Sequence, residues 1–376
     1  MQGIQDIDPK EIEKRKERFR RVWNYQPVDH IPMGFYLDDL STYSLREQCE
    51  NGRIQYEVNY NNIDFLLQAI PDDYSPAARV WPKYITIATR FGMEPHWSDE
   101  PNQSPGVTGK LVEKPSDIEK LEVPDPARDG LMPFNLEWLD YTRRNLPEEV
   151  LLTGIDLGGP MNTAKDLFET DLLYTMFYDA PELFHRFLDM ATEVQIDCYR
   201  EIIKAVGGID NLTCIDFDPL WAPEGRKGFV SDDVCASFSP DIFTAFSRPY
   251  NSRIFQQWRG GRIHNCGPHP SIHEYLDHDP PINGVNCSFT YTRNDLPEVK
   301  KAFKGRGIIE LMFDNGESAE EILAGMEEIA GALAPDVIGI PMIWLSEEWS
   351  RDEITQIWYD LEKICRSYAQ SMNWRS

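Results

Sequence analysis

The sequence has few basic residues for its length, and it lacks any long apolar run. Its 376 residues include 37 lysines and arginines against 63 aspartates and glutamates, so the formal net charge is −26. Such a field repels phosphate backbones and anionic lipids, and we therefore predict neither a nucleic-acid partner nor a membrane partner. No stretch approaches the roughly 20 apolar residues that cross a bilayer, and the amino terminus has no signal-like segment. These absences predict a cytoplasmic protein.

A disulfide framework and several common catalytic motifs are also absent. The seven cysteines are scattered and odd in number, which is typical of reduced thiols. No GxSxG, Walker A, HExxH or paired CxxC pattern occurs in the chain. The sequence therefore carries none of these signatures of hydrolases, P-loop proteins and zinc proteins.

The composition is nevertheless that of a folded protein, with 41% hydrophobic and 12% aromatic residues. Residues 1–28 are predicted to form an N-terminal helical arm, because apolar residues recur on one face of a helix over 9–24. A first strand follows over 31–36. Residues 70–125 are rich in proline, aspartate and tryptophan, which predicts long βα-loops with short strands in them.

From residue 151 onward, predicted strands alternate with predicted helices. The strands lie at 151–157, 212–217, 262–266, 282–287, 307–312 and 337–343, and the helices lie near 180–206, 295–304, 318–334 and 350–371. Repeated βα units without a phosphate-binding glycine fingerprint favour a closed parallel barrel, with an open sheet as the alternative. We therefore predict an α/β fold, a single-domain (β/α)8 TIM barrel over residues 1–376 with a helical N-terminal extension and long βα-loops.

The most specific local pattern is His264-Asn265-Cys266-Gly267, at the predicted carboxyl end of a strand. Residues i and i+2 of a strand share one face, so His264 and Cys266 point the same way. Imidazole and thiolate are zinc ligands, and a catalytic zinc usually has three protein ligands. Cys287, at the end of the next predicted strand, is the predicted third ligand, with an aspartate as the alternative. Without metal, His264 would act as a general acid or hydrogen-bond donor.

Two acidic pairs precede this motif, Asp216 with Asp218 and Asp232 with Asp233. Each residue either caps a loop or contributes to a site. Carboxylates that gather near strand ends raise one another's pKa and favour a proton or a cation there. We predict a catalytic role for these four residues together with His264.

Aromatic and amide side chains near strand ends complete the predicted mouth of the barrel. We predict substrate contacts for Tyr36, Trp221, Trp344 and Asn265, and loop anchoring is the alternative for each tryptophan. The remaining candidates are Asp38 and Asp39 after the first strand, the loop residues Trp81 and Trp97, and His269, His273 and His278, which we interpret as members of a surface loop.

Four segments resemble the uroporphyrinogen decarboxylase-like superfamily, which includes the decarboxylase and the cobalamin-linked methyltransferases. In chain order they are Pro27–Pro32, Leu157–Pro160 with Ala164, Ser231–Asp233 through Ser239–Phe243 to Arg248–Tyr250, and Ile263–Gly267. Together they span most of the chain in the order expected for the superfamily. The resemblance implies a (β/α)8 barrel.

The two branches of this superfamily differ in motifs that the chain allows us to compare. The decarboxylase branch carries an arginine-rich substrate motif near its N-terminus, and residues 34–46 show none. The methyltransferase branch carries a His-x-Cys zinc motif, which His264 and Cys266 match. It usually adds a cysteine near the last strand, but residues 340–344 contain none. Cys287 or a carboxylate would have to replace that ligand, or zinc is absent.

The resemblance therefore implies a methyltransferase that moves a methyl group between a small substrate or thiol and a corrinoid protein. Zn²⁺ on His264, Cys266 and Cys287 would assist the transfer. Cobalamin would arrive on the partner, because no corrinoid-binding segment is evident in the chain. The alternatives are a metal-free lyase or decarboxylase acting on a small carboxylated or aromatic compound, and a non-catalytic ligand-binding barrel. Each of these functions is compatible with an oligomer.

Overall fold

The computed structural model describes residues 4–37, 40–80, 85–276, 282–305 and 307–375. Its strands are β1 Gly34–Leu37, β2 Ala77–Ala78, β3 Pro95–His96, β4 Gly106–Val107, β5 Leu151–Leu152, β6 Gly228–Ser231, β7 Gly261–His264, β8 Ile282–Ser288, β9 Ile308–Phe313 and β10 Ile338–Leu345. Its helices are α1 Pro9–Trp23, α2 Leu45–Glu50, α3 Gly52–Ala69, α4 Ile85–Arg90, α5 Met132–Asn145, α6 Pro160–Leu167, α7 Thr170–Asp179, α8 Pro181–Ala205, α9 Pro240–Ile242, α10 Arg248–Gln257, α11 Ile272–Tyr275, α12 Phe289–Thr292, α13 Leu296–Phe303, α14 Ala319–Leu333 and α15 Arg351–Ser371. Short 3₁₀ segments lie at Ile4–Asp6, Pro115–Lys120, Ile209–Asn211, Asp233–Ser237 and Arg293–Asp295.

Six strands form one parallel sheet in the order β1–β10–β9–β8–β7–β6. Its register places His264 beside Asn286, and Asn286 beside Glu310. A second parallel pair joins β2 to β5, and a small antiparallel pair joins β3 to β4. The predicted α/β class is therefore confirmed, with a parallel half-barrel sheet and helices. Because the six strands are parallel, their carboxyl ends lie along one edge of the sheet.

The predicted strand over 212–217 is wrong. Leu212 makes a single bridge to Leu152. Residues 212–222, which we call the buried segment, then turn back on themselves, and Ala222 N donates a hydrogen bond of ordinary length, 3.0 Å, to Thr213 O. An apolar run is buried in either arrangement, so composition alone does not separate a strand from this turn. The strand of this region is β6, which has only four residues and was not predicted.

The longer predicted helices are confirmed. The carboxylate of Asp8 accepts a hydrogen bond from Lys10 N and caps α1, which buries one apolar face. α8 lies within one residue of its predicted bounds at each end. A π-helical turn at Phe243–Ser247 interrupts the helix before Pro249. No helix within the described ranges is both long and apolar enough to cross a bilayer.

Candidate active site

Three potential metal-binding side chains converge at the carboxyl ends of β6 and β7. Asp233 follows β6, His264 ends β7, and Cys266 lies two residues further on. His264 Nε2 is 3.4 Å from Cys266 Sγ and 3.4 Å from Asp233 Oδ1. One donor atom from each residue lies within 4.8 Å of the others. The predicted pairing of His264 with Cys266 is present, and Asp233 joins it.

Backbone hydrogen bonds hold the chain in place beyond the end of β7. Asn265 N donates to Asn286 O at 3.1 Å, and Ser288 N donates to Cys266 O at 3.3 Å, so the chain stays beside β8. It then turns at Gly267, whose φ of 112° lies in the region that favours glycine. These contacts keep His264 and Cys266 on one side of the strand end.

The Asp233 carboxylate is oriented through both of its oxygens. Oδ2 accepts from Ser231 Oγ at 3.0 Å and from Asn162 Nδ2 at 3.2 Å. Oδ1 accepts from Cys266 N at 3.3 Å and faces the His264 ring. The carboxylate is thus held with one oxygen toward the imidazole and the thiol.

Asn286 orients the His264 ring from behind. Its amide nitrogen donates to Asp218 and Glu310, both at 3.2 Å, so its oxygen Oδ1 faces His264 Nδ1 at 2.7 Å. A carboxamide oxygen only accepts, so Nδ1 carries the hydrogen. Nε2 is thereby directed toward Cys266 and Asp233, as in histidine ligands that are oriented by a hydrogen bond at the other nitrogen.

The imidazole and the carboxylate form an ion pair in the absence of metal. Burial would favour a neutral ring, but Asp233 and Cys266 raise the pKa of His264 well above its ordinary value. Burial would raise the pKa of Asp233, but His264, with hydrogen bonds from Ser231 and the Cys266 amide, lowers it. A metal at this position must therefore displace a proton from Nε2.

The donor set fits zinc in type, and the two separations from His264 Nε2 are close to those around a tetrahedral ion. Tetrahedral zinc, with bonds of about 2.3 Å to sulfur and about 2.0–2.1 Å to nitrogen and oxygen, separates sulfur from nitrogen by about 3.6 Å and nitrogen from oxygen by about 3.3 Å. The corresponding separations here are both 3.4 Å. Three protein ligands also match the number in catalytic zinc sites, which keep a fourth position for substrate.

Cys287 does not join this group, which corrects the predicted ligand set. Successive strand residues point to opposite faces, and Asn286 faces His264, so Cys287 faces away. Its buried thiol donates to Glu310 O at 3.6 Å, and burial raises its pKa to about 12. The third donor is Asp233, which the sequence offered only as an alternative.

A buried ionic network lies beneath His264. Arg262 is hydrogen bonded to Glu310 and lies 3.4 Å from Asp218. Burial raises the pKa of Glu310 well above its ordinary value; Arg262 opposes this effect and Asp218 adds to it. Gly284 lies beside this network, where an added Cβ would be 2.9 Å from Ile308 O and 3.3 Å from Arg262 Cγ. Asp218 is fully buried and is linked to His264 through Asn286.

The sequence prediction missed Arg262, Asn286 and Glu310. Each is a polar residue within a strand that is otherwise mostly apolar. This isolated polarity is the feature of the sequence by which they could have been identified. Arg262 also lies two residues before His264, on the same face of β7. Which partners these side chains meet depends on the pairing of β7, β8 and β9, which sequence spacing does not reveal.

Asp216 and Asp232 are both buried, and each is hydrogen bonded to a different side chain. Tyr199 OH donates to Asp216, and burial raises the pKa of this carboxyl well above its ordinary value. Asn251 Nδ2 donates to Asp232 at 2.8 Å, and burial raises the pKa of Asp232 to about 6. Neither belongs to the group of three donors. The four predicted aspartates therefore do not share one mouth, and only Asp233 contacts the imidazole.

Two residues predicted to contact substrate, Trp221 and Asn265, are buried and make contacts within the protein. Trp221 is 6% exposed, and its ring packs against the cations of Lys16 and Arg20 of α1. Asn265 is 1% exposed and donates to Tyr275 OH at 2.8 Å, which holds the loop after β7.

The other sequence candidates are dispersed. His269 is buried, and burial lowers its pKa to about 4, so its interpretation as a surface residue is wrong. His273 is exposed and lies 3.1 Å from Glu298, and Trp97 stacks with Arg46. Asp38, Asp39, Trp81 and His278 lie outside the described residues.

A cavity of about 510 Å³ lies at the carboxyl ends of β1 and β10. Tyr36 and Trp344 line it, with ring centroids 5.4 Å apart in an edge-to-face arrangement. None of the three donors lines this cavity, but the buried segment contacts both places. Pro219 lines the cavity, and Phe217 packs edge-on against His264 with centroids 5.4 Å apart. Two predicted substrate contacts, Tyr36 and Trp344, are thus brought together.

Comparison with known proteins shows the family. The family described as uroporphyrinogen decarboxylase (URO-D) matches residues 14–222, which is more than half of the chain, and the protein belongs to this family. The uroporphyrinogen decarboxylase of Azotobacter vinelandii is 28% identical over 46% of this chain and 51% of its own length. That of Pseudomonas putida F1 is 29% identical over the same shares. The matched region thus spans about half the length of these curated relatives.

The fold is also found in a solved structure. A methyltransferase from Methanosarcina mazei superposes with a TM-score of 0.67 and 18% sequence identity, over 93% of this chain and 98% of its own. At that identity the likeness shows a shared fold. It agrees with the parallel strands and helices described above.

Proposed function

We propose that this protein is a zinc-assisted methyltransferase that moves a methyl group between a small substrate or thiol and a corrinoid protein. The observation that carries the proposal is the convergence of nitrogen, sulfur and oxygen donors from His264, Cys266 and Asp233. Asp233 supplies the third ligand that residues 340–344 lack. The fold shared with a methyltransferase supports the same reading. We further propose that the strands of the two parallel sheets belong to one (β/α)8 barrel.

The chain's own residues prepare this site before a substrate arrives. Asn286 keeps Nε2 of His264 directed outward, and Ser231 and Asn162 hold Asp233 with one oxygen toward it. When bound, zinc supplies Lewis acidity that favours a substrate thiolate or polarises the methyl-bearing group. Because the ligands are already oriented, little reorganisation accompanies metal binding.

Metal content and methyl transfer together test the proposal. We expect one zinc per chain in the purified protein, with strongly weakened binding in His264→Ala, Cys266→Ser and Asp233→Asn. Cys287→Ala is the matched control and should bind zinc normally. Turnover is followed by the absorbance change when methylcobalamin loses its methyl group to candidate acceptors. A wild-type protein that binds no added zinc would refute the zinc-dependent mechanism.

A metal-free carboxy-lyase is the second candidate, favoured by the decarboxylase names of the matched relatives. In that case, the ion pair of His264 and Asp233 would deliver a proton to the carbon that loses carbon dioxide. Carbon dioxide release that persists after exhaustive chelation, but is lost in His264→Ala, would favour this candidate over methyl transfer.

A further inference from the structure

The cavity at the carboxyl ends of β1 and β10 is not lined by any of the three donors of the candidate site. We propose that it binds an uncharged, flat aromatic compound that carries a hydrogen-bond-accepting oxygen. Such a ligand would pack against the rings of Tyr36 and Trp344 and accept a hydrogen bond from the Trp344 indole. The inference goes beyond the proposed function, because it requires neither zinc nor methyl transfer.

The size and the position of the cavity are those of a small-molecule site. Its volume of about 510 Å³ lies in the range of about 300–1,000 Å³ that is usual for such sites. It lies at the edge of the sheet where the parallel strands end, which is where α/β proteins usually bind their ligands.

Aromatic rings form much of the wall of the cavity. The rings of Tyr36 and Trp344 are set at 68° to each other, with their centroids 5.4 Å apart, and Tyr43 and Tyr74 also line the cavity. Aromatic faces bury the most apolar area against flat or apolar groups. The wall therefore favours a ligand that is flat and largely apolar.

The charges of the lining are unfavourable for an ionic ligand. Arg79 and Glu347 are the charged residues of the lining in the described part of the chain, and they have opposite signs. The guanidinium of Arg79 stacks on Tyr36 at 4.3 Å from the ring centroid, and Arg79 has a further interaction within the protein. Glu347 is exposed. An anion in the cavity would lose its hydration without gaining a free cation, whereas an uncharged ligand avoids that cost.

Two buried hydrogen-bonding groups of the lining have no partner among the residues that the structure describes. They are the indole nitrogen of Trp344 and the hydroxyl of Ser75. An indole N–H is only a donor, and buried donors in native proteins nearly always have acceptors. A ligand oxygen would supply that acceptor. The same N–H group would repel a cation, so the ligand class is an uncharged aromatic compound with an accepting oxygen.

Three ligands of one shape test the inference by calorimetric titration of the zinc-free full chain. Acetophenone carries an accepting oxygen, 2-phenylpropene replaces that oxygen by a methylene group, and benzoate replaces the methyl ketone by a carboxylate. We expect acetophenone to bind, and benzoate to bind at least about 10-fold more weakly, because its charge is desolvated without a free partner.

Two variants remove the unpartnered groups one at a time. Trp344→Phe keeps a ring but removes the N–H group, and it should weaken acetophenone binding by about 2-fold to 10-fold, the value of one hydrogen bond. The affinity for 2-phenylpropene should not change, because that ligand has no acceptor to lose. Ser75→Ala should show the same selectivity if the hydroxyl contacts the ligand oxygen.

Trp349→Phe is the matched control, since it also removes an indole N–H group but lies outside the lining of this cavity. It should bind all three ligands as the wild type does. Absence of acetophenone binding, or benzoate binding as tight as that of acetophenone, would overturn the inference. So would a folded Trp344→Phe protein whose affinities for acetophenone and 2-phenylpropene are both unchanged or fall equally. If Trp344→Phe does not fold, Ser75→Ala decides by the same comparison.

Discussion

At the scale of single residues, the candidate site depends on one amide. Asn286 holds the Nδ1 side of His264 at 2.7 Å, and its own orientation follows from its two carboxylate acceptors. The ring therefore meets Cys266 and Asp233 with the nitrogen that can bind a metal. Under the proposed zinc chemistry, Asn286 would control how well the site binds the metal without touching it.

Asn286→Ala should weaken zinc binding by about 10-fold to 100-fold although all three donors remain. The ring loses the acceptor that keeps Nε2 directed toward Cys266 and Asp233. Competition with a chromophoric chelator measures the affinity. Cys287→Ala, the neighbouring substitution on the opposite face of β8, should leave the affinity unchanged, and a large loss in that variant would restore the cysteine as a ligand.

Asp232→Asn tests a buried acid behind the site. The pKa of Asp232 is about 6 in the folded protein because of burial, above the ordinary 3.8. The folded state therefore binds more protons, and stability is lost as the pH rises through the folded pKa. We expect Asp232→Asn to raise the free energy of unfolding, by about 1 kcal/mol more at about pH 7 than at about pH 5.

Urea denaturation at both pH values measures this difference. Asp233→Asn is the control: the pKa of Asp233 is lowered in the folded protein, so its stabilising contribution is present at both pH values, and the substitution should lower the free energy of unfolding at each. An Asp232→Asn effect that is the same at both pH values would mean that Asp232 does not titrate in this range.

Sequence spacing revealed part of this site. His264 and Cys266 followed from the two-residue repeat of a strand, which needs no knowledge of neighbours. The prediction that Cys287 joins His264 and Cys266 failed because the choice between residues 286 and 287 depends on strand register. A shift of one residue reverses the face to which a side chain points. Asp233 was identifiable only as one of several carboxylates, because it follows β6, a strand that was not predicted.

At the scale of elements, the distance between β6 and β7 sets the distance between Asp233 and His264. The two strands approach closely at a pair of glycines, where a Cβ on Gly261 would lie 1.9 Å from Gly228 O. No side chain fits between these backbones. The glycine pair therefore allows the two strands to pair along their full length.

Gly261→Ala should separate β6 from β7 and weaken zinc binding together with stability. The loss of stability should be on the order of 1–3 kcal/mol, the range for overpacking a filled interior. Thermal unfolding and chelator competition measure the two effects. Gly331→Ala in α14 is the control, since nothing lies within 4 Å of its added Cβ, and alanine favours a helix by up to about 1 kcal/mol. Normal zinc binding in Gly261→Ala would show that strand spacing does not control the site.

Length helped the recognition of elements but did not decide it, since α3, with 18 residues, was not predicted and β7, with four, was. α1 and α8 have 15 and 25 residues, enough for a helical repeat to be recognised, and both were found. β6 has four residues, Gly-Phe-Val-Ser, and such a run carries little periodicity. The buried segment was mistaken for a strand because tertiary packing, and not local pattern, determines its path.

At the scale of the whole molecule, the main electrostatic feature is the excess of negative over positive charge. A formal net charge of −26 means that folding brings like charges together. Their mutual repulsion destabilises the folded state, and salt screens this repulsion. The surface also carries ion pairs, such as Arg20 with Glu13, that salt weakens. Exposed pairs contribute only about 0–1 kcal/mol each, so the net sign follows the excess of negative charge.

Raising the salt concentration should therefore stabilise the protein. Between about 10 mM and about 150 mM sodium chloride, the Debye length falls from about 30 Å to about 8 Å, which is shorter than most distances across the molecule. We expect the midpoint of thermal unfolding to rise over this range, with most of the rise at the low-salt end. Sorbitol at matched osmolality, which does not screen charge, should not reproduce that dependence. A midpoint that falls with added salt would mean that the ion pairs, and not the net charge, dominate the electrostatic free energy of folding.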